Sequence, residues 1–148
     1  PGLWPGALDL SGLSPRERER WKRAFVRFVK TLAVRDPRPL VLKSPPHTAR
    51  IPTLLELFPG ARFVHIVRDP YVLFPSTCNL WRSLGKTHGL QTPRNDAAIE
   101  EKVFREFRVI YERVLADRER IPAGRYCEVR YEELTADLVG GVGKVYDA

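Results

Sequence analysis

Polar side chains with useful chemistry directly follow three short apolar runs in this sequence. Lys43 follows "PLVL", Arg68 follows "FVHIV", and Tyr131 follows "YCEVR". His47 lies four residues after the lysine, and Ser76 lies eight residues after the arginine. Because ligands of open α/β sheets bind beyond the carboxyl ends of the strands, these five residues are the candidates for a binding site.

Arg68 and Ser76 together have the chemistry of an anion clamp. A guanidinium presents a planar fork of donors that matches phosphate. If Ser76 opens a helix just after Pro75, its hydroxyl stands beside backbone N–H groups and the positive end of that helix. The alternative is structural: an ion pair between Arg68 and Asp69 on the surface, and a serine that only caps a helix.

The elements that must position these residues form a strand–helix–strand pattern. The run "PLVLKS" (39–44) predicts a central parallel strand, "TARIPTLLELFPG" (48–60) a short helix, and "RFVHIV" (62–67) a second strand buried on both faces. This predicts a βαβ unit that brings Lys43 and Arg68 to the same edge of one sheet. A third strand is predicted at "YCEVRY" (126–131).

Three longer helices are expected around the strands. A capping box at residues 14–17 begins the first, and apolar side chains then recur at helical spacing. A helix from Asp69-Pro70 to about Leu84 is expected, unless Pro75 splits it into a turn and a second helix. Residues 96 to about 120 give the clearest helical pattern. The pattern predicts an α/β fold in which helices flank a parallel sheet.

The composition limits the classes of partner. The chain has 148 residues, enough for one domain, and its 25 Lys and Arg exceed 18 Asp and Glu for a net charge of +7. This charge favours anionic partners: nucleotides, nucleic acid, acidic saccharides or anionic membranes. Acidic residues interleave with the arginines of "RERERWKRAFVRFVK" (16–30), which favours a solvated helix face over a nucleic-acid stripe.

The cysteines and the hydropathy pattern exclude other classes. Cys78 and Cys127 lack CxxC spacing, so we expect reduced thiols, a reducing compartment and no metal site. No apolar run approaches the roughly 20 residues of a membrane helix. The chain begins "PGLWPG" and contains no methionine, so we expect a piece of a longer protein.

The stretch "VLKSPPHTARIPTLLELFPGARFVHIVRDP" (41–70), the Arg68-to-Ser76 interval and "VRYEELTAD" (129–137) resemble the sulfotransferases that use 3'-phosphoadenosine 5'-phosphosulfate, PAPS. The resemblance covers roughly residues 10–148. It implies a P-loop-NTPase-like parallel sheet, here incomplete, in a single domain over 1–148, a cytoplasmic enzyme, and PAPS as donor without a metal. It also implies that Arg68 and Ser76 bind the 3'-phosphate and that Tyr131 packs near the adenine; for Tyr131, simple packing at the strand end is the alternative.

Two further roles follow from the same resemblance. Lys43 matches a lysine on the donor side of the site, against the simpler interpretation of a strand-end charge. His47 is the candidate general base, although relatives place that histidine two residues after the lysine rather than four; a loop histidine that only forms hydrogen bonds is the alternative. An imidazole and an ammonium are the groups that sulfuryl transfer requires at the acceptor and the leaving group.

The sequence also departs from the family. No glycine-rich strand-to-helix turn, the phosphosulfate loop, precedes Lys43, and a later glycine-rich segment is absent. We therefore expect half of a donor site, no activity from this chain alone, and an uncovered sheet edge that favours self-association.

Other functions remain open at this point. One is a non-catalytic or degenerate nucleotide-binding α/β module; another is a basic nucleic-acid-binding protein, although no recognised motif accompanies the charge. The acceptor is not readable from the sequence. His65 in its strand and His88 in a loop are expected to be structural or solvated.

Overall fold

Two parallel strands, β1 (Phe63–Val67) and β2 (Tyr126–Arg130), form the sheet of this protein. The structure is a computed structural model that describes residues 6–87 and 95–147, so His88 lies outside the described residues. The ladder pairs Phe63 with Tyr126 at one end and Val67 with Arg130 at the other. Both strands were predicted from the sequence, and both are confirmed.

Six α-helices accompany the two strands in the described part of the chain. They are α1 (Pro15–Arg35), α2 (Ile51–Leu57), α3 (Pro70–Thr87), α4 (Asp96–Asp117), α5 (Tyr131–Ala136) and α6 (Leu138–Asp147). Single turns of 3₁₀ helix occupy Pro45–Ala49 and Arg118–Arg120. The result is an α/β arrangement with a small parallel sheet.

The capping box predicted for α1 is confirmed. The Ser14 hydroxyl accepts a hydrogen bond from the Glu17 backbone N–H at 3.4 Å, and the Glu17 carboxylate accepts one from the Ser14 N–H at 2.9 Å. Both orphan donors at the helix start are thereby satisfied. The prediction of a long helix from residue 96 to about 120 is likewise confirmed. Helix α4 runs from Asp96 to Asp117, and the 3₁₀ turn Arg118–Arg120 follows it directly.

The strand predicted at 39–44 is wrong. These residues belong to no ladder, and the side chains of Leu40, Val41 and Leu42 are 39%, 93% and 37% exposed. A strand needs a neighbour for its N–H and C=O groups, and the described residues supply none for this segment. The βαβ unit expected over 39–67 is therefore not formed.

Burial of β1 on both faces is also wrong. Val64 and Ile66 are 49% and 52% exposed, whereas Phe63, His65 and Val67 alternate with them and are half-buried. One face of the sheet packs on helices, and the opposite face, at Val64 and Ile66, stays open to solvent.

Two clusters of buried side chains hold the helices against each other and against the sheet. The first surrounds Ile51, Val114 and Ile121, and Phe63 and Tyr126 from the strands pack against it. The second lies between α3 and α4 and contains the following side chains: Phe74, Cys78, Trp81, Ile99, Val103 and Phe107. The long crossover from β1 to β2 is thus packed by its own helices.

Helix α3 runs unbroken through Pro75, so the alternative of a split at this residue is wrong. The Asp69 carboxylate accepts a hydrogen bond from the Tyr71 N–H at 2.8 Å, and the Asp69 carbonyl accepts one from the Leu73 N–H at 2.9 Å. Pro70 then occupies the first helical position, where a missing N–H costs nothing. Pro75 removes one hydrogen bond, and the packing of the second cluster outweighs that loss.

No helix within residues 6–87 and 95–147 is long and apolar enough to cross a membrane.

Candidate functional site at the strand ends

Arg68 and Tyr131 lie together at the carboxyl ends of the two strands. They are the residues that follow Val67 and Arg130, which pair in the parallel ladder. The guanidinium carbon of Arg68 lies 4.4 Å from the centre of the Tyr131 ring. This is a cation–π contact, and it fixes the arginine side chain at the sheet edge.

The hydrogen-bond donors of Arg68 remain unused by the described residues. Stacking occupies the flat face of a guanidinium, whereas its five N–H groups point outward in the plane. Asp69 caps α3 instead of pairing with the arginine, so the predicted alternative of an Arg68–Asp69 ion pair is not formed. The contact with Tyr131 therefore holds the Arg68 guanidinium in place, while its N–H donors have no partner among the described residues.

One acidic side chain lies beside this fork. The Glu132 carboxylate accepts a hydrogen bond from the Asp69 N–H at 3.1 Å, which ties the start of α5 to the start of α3. That hydrogen bond, helped by the charges of Arg130 and Arg68, lowers the pKa of Glu132. The site is therefore a cationic edge of the sheet, and its one neighbouring carboxylate, that of Glu132, is hydrogen-bonded to the backbone of Asp69.

Ser76 is not where the sequence predicted it. It lies in the middle of α3, six residues after Pro70, and its side chain is exposed. At about 1.5 Å per residue, the hydroxyl is roughly 9 Å along the axis from the helix start, far from the unsatisfied N–H groups. No hydrogen bond or ion pair joins it to Arg68 among the described residues.

Lys43 and His47 are not joined to the strand ends by any hydrogen bond, ion pair or ring contact in the described structure. Lys43 is exposed, two residues before the 3₁₀ turn Pro45–Ala49. His47 lies in the 3₁₀ turn Pro45–Ala49, and its ring meets the Phe25 ring edge-on at 5.6 Å between centres. The structure thus groups Arg68 with Tyr131 and leaves the other candidates apart from them.

The environment of His47 favours the neutral imidazole. Burial lowers the pKa of His47, and the charge of nearby Arg50 lowers it further. Its Nδ1 atom is buried and has no hydrogen-bond partner among the described residues. A neutral imidazole is the form that accepts a proton.

Sequence reasoning missed a hydrogen-bonded triad on the packed face of the sheet. The Tyr126 hydroxyl donates to the Glu128 carboxylate at 2.8 Å, and the His65 Nδ1 lies 3.0 Å from that hydroxyl and 3.1 Å from the carboxylate. Tyr126 and Glu128 alternate on one strand, a detectable signal, but only the ladder register places His65 beside them. The expectation that His65 is structural is consistent with these contacts.

The thiols expected to be reduced are free in the structure. Cys78 is buried, and burial raises the pKa of its thiol; Cys127 is half-buried on β2. Among residues 6–87 and 95–147, no group of three or more His, Cys, Asp or Glu side chains is arranged to hold a metal ion.

Comparison with known proteins found a matching family model and two similar curated proteins. A family model described as "Sulfotransferase family" matches residues 13–148. The chain is also 43% identical, over 146 residues, to omega-hydroxy-beta-dihydromenaquinone-9 sulfotransferases of Mycobacterium bovis and Mycobacterium tuberculosis. The match covers 99% of this chain and 37% of each relative, so the chain spans little more than a third of their length. No solved structure matches the chain significantly.

The triad on the sheet predicts a pH-dependent contribution to stability. The hydrogen bond from Tyr126, and then that from His65, lowers the pKa of Glu128, so the contact stabilises the fold above pH 4.5 and is lost in acid. Burial and the bond to Glu128 raise the pKa of Tyr126 from 10.0 to about 12, so its contribution is lost as pH rises through that range. Tyr126→Phe should lower the free energy of unfolding at pH 7 by about 1 kcal/mol.

Urea unfolding at several pH values measures this difference. The gap between wild type and Tyr126→Phe should be widest near neutral pH and narrow towards both extremes. Tyr111→Phe is the matched control, because Tyr111 packs against the same cluster. Equal losses in both variants, or a gap that does not change with pH, would show that the hydroxyl contributes nothing specific.

Proposed function

Because this chain belongs to the sulfotransferase family, we propose that it forms part of an enzyme that transfers a sulfuryl group from PAPS to an acceptor hydroxyl or amine. The observation that carries this proposal is the unpaired guanidinium of Arg68, held over Tyr131 at the carboxyl ends of two parallel strands. That is where α/β sheets bind ligands, and the charge and donor geometry suit a phosphate.

Arg68 is proposed to bind the 3'-phosphate of the donor. Its N–H groups are free among the described residues for a bidentate contact. Because the Tyr131 ring already restricts the side chain of Arg68, less side-chain entropy is lost when the phosphate binds. Tyr131 is 38% exposed, and the ring face opposite Arg68 is proposed to pack near the adenine. The same tyrosine thus supports the phosphate ligand and contacts the base.

Ser76 is proposed to add a single neutral hydrogen bond to the same phosphate. The hydroxyl lies on the exposed surface of α3, the helix that begins two residues after Arg68. The helix dipole does not assist it, because Ser76 is remote from the helix start. Its contribution is therefore smaller than that of the arginine.

The sheet is proposed to belong to a larger P-loop-NTPase-like sheet. Val64 and Ile66 are half-exposed on one face of β1. An apolar strand face open to solvent is a feature of a parallel sheet whose neighbours are incomplete. We also infer that these 148 residues alone bind the nucleotide without transferring sulfate, because no glycine-rich turn precedes Lys43.

The chemical step is proposed to use His47 and Lys43. The acceptor oxygen attacks sulfur while the bond from sulfur to the bridging phosphate oxygen breaks, and the bond electrons leave with adenosine 3',5'-bisphosphate. His47 takes the acceptor proton at Nε2, since its Nδ1 is buried. The Lys43 ammonium neutralises the charge that develops on the leaving phosphate.

The name of the relatives suggests the acceptor. They are named for omega-hydroxy-beta-dihydromenaquinone-9, and we extend the class, a hydroxyl group on a menaquinone-type compound, to this chain on the strength of the 43% identity. The acceptor atom is then an oxygen, which suits a general base with a lowered pKa.

Arg68→Ala should weaken the binding of adenosine 3',5'-bisphosphate to the chain by roughly 2 to 4 kcal/mol, because a charge-assisted bidentate contact is lost. Ser76→Ala should cost less, about 1 kcal/mol. Titration calorimetry measures both. Arg62→Ala is the control, because Arg62 is exposed just before β1 and has the same charge. Unchanged affinity in Arg68→Ala would remove the arginine from the site.

His47→Ala should lower the turnover of the complete enzyme about 100-fold while leaving the affinity for the donor nearly intact. Because the pKa of His47 is lowered, the apparent pKa of the acidic limb in the pH profile of kcat should lie below 6.5, the ordinary value for histidine. Steady-state kinetics across pH check both expectations. Normal turnover of His47→Ala, or an apparent pKa above 6.5 for the acidic limb in wild type, would show that His47 is a structural residue.

A further inference from the structure

Helix α1 carries a row of cations on one side. The row repeats at alternating intervals of four and three residues, the spacing that keeps side chains on one helical face. Its members are Arg16, Arg20, Arg23, Arg27 and Lys30. All five side chains are exposed. From Arg16 to Lys30 the row is about 21 Å long at 1.5 Å per residue.

The described structure does not neutralise this row. None of its five cations forms a hydrogen bond or an ion pair with the described residues. The two acidic residues of α1 have hydrogen-bond partners outside the row, since Glu17 accepts from Ser14 at 2.9 Å and Glu19 pairs with Lys22 at 2.8 Å. The hydrogen bond from Lys22, and with it the charge of Arg23, lowers the pKa of Glu19. The sequence-based expectation of interleaved acids therefore holds in part, because Glu19 lies beside the row, whose five cations outnumber it.

The opposite side of α1 anchors the helix and fixes the direction of the row. The Phe25 ring meets the Phe58 ring edge-on at 5.9 Å, and Lys22, only 9% exposed, pairs with Glu56 at 2.7 Å. Arg50 stacks over Trp21 at 5.0 Å. Because these contacts face the body of the protein, the cation row faces solvent.

An open groove of about 500 Å³ runs beside the row and adds apolar surface to it. Its lining includes three cations of the row, three apolar side chains, and two carboxylates that both pair with Lys22: Arg23, Arg27 and Lys30; Val26, Val34 and Leu57; Glu19 and Glu56. Val34 is 85% exposed, on the same face as the row and one turn beyond Lys30. Cations and apolar side chains therefore share one surface.

We propose that this surface, the cation row with its groove, binds anionic phospholipid at a membrane surface. The cations complement the phosphate headgroups, and basic residues near an anionic leaflet each add to the affinity. Val26 and Val34 supply the apolar contact that a lipid can use and that a nucleic-acid backbone cannot. The proposal concerns attachment to a surface and goes beyond the proposed sulfuryl transfer.

Sedimentation of the 148-residue chain with vesicles tests the proposal. Vesicles of phosphatidylcholine with about 30% phosphatidylglycerol should bind the chain, and vesicles of phosphatidylcholine alone should not. Raising the salt from about 0.1 M to about 0.5 M should release it. These comparisons need no variant, so equal binding to both vesicle types, or binding that ignores salt, would overturn the proposal.

Variants then locate the surface. Arg23→Gln with Arg27→Gln should weaken vesicle binding roughly 30-fold, at about fivefold per cation. The matched control is Arg105→Gln with Arg108→Gln, which removes the same charge from exposed arginines of α4 that pair with Glu101 and Glu112. Equal losses in both double variants would mean that only the net charge matters and would overturn the assignment to α1.

Val34→Ser separates lipid from nucleic acid. It should weaken vesicle binding, because an apolar contact is lost, and circular dichroism should show an unchanged fold, since Val34 is exposed. If duplex DNA binds the chain more tightly than anionic vesicles do, with no effect of Val34→Ser on either, the surface is a nucleic-acid site and the proposal is wrong.

Discussion

The parallel pairing of β1 with β2 determines the rest of the structure. A ladder that pairs Val67 with Arg130 makes the next residues, Arg68 and Tyr131, neighbours in space although 63 positions separate them in sequence. A parallel pair requires a long crossover, and α3 and α4 supply it while packing on each other. The triad of His65, Tyr126 and Glu128 adds side-chain hydrogen bonds across the same ladder. Loss of this register would separate the site residues.

Local patterns in the sequence predicted the elements whose signals are local. The capping box of α1, the helical spacing of α4 and the apolar runs of both strands are all short-range features, and all are confirmed. The predicted strand at 39–44 failed because a strand depends on a distant partner, which its own residues do not reveal. The start of α3 was uncertain because Pro75 costs a hydrogen bond locally, whereas the packing that outweighs it comes from α4.

Local patterns likewise predicted the residues of the candidate site better than the contacts between them. The polar residues after each apolar run identified Arg68 and Tyr131, but their stacking depends on the register of the ladder. Ser76 was placed at a helix start on local grounds and lies in the helix middle instead. Cations without a salt-bridge partner among the described residues lie in two places that the proposals use: the guanidinium of Arg68 at the strand ends, and five cations along α1. The position at the strand ends suits the phosphate of a nucleotide, and the row along α1 suits an anionic lipid surface.

The central claim is that Arg68, supported by Tyr131, recognises the 3'-phosphate of an adenine nucleotide. The most direct test compares the affinity of the chain for adenosine 3',5'-bisphosphate with its affinity for adenosine 5'-monophosphate, in wild type and in Tyr131→Leu. The account predicts that the extra phosphate improves binding at least about 10-fold in wild type, and that the gain shrinks when the ring is removed. Equal affinity for the two nucleotides in wild type would contradict it.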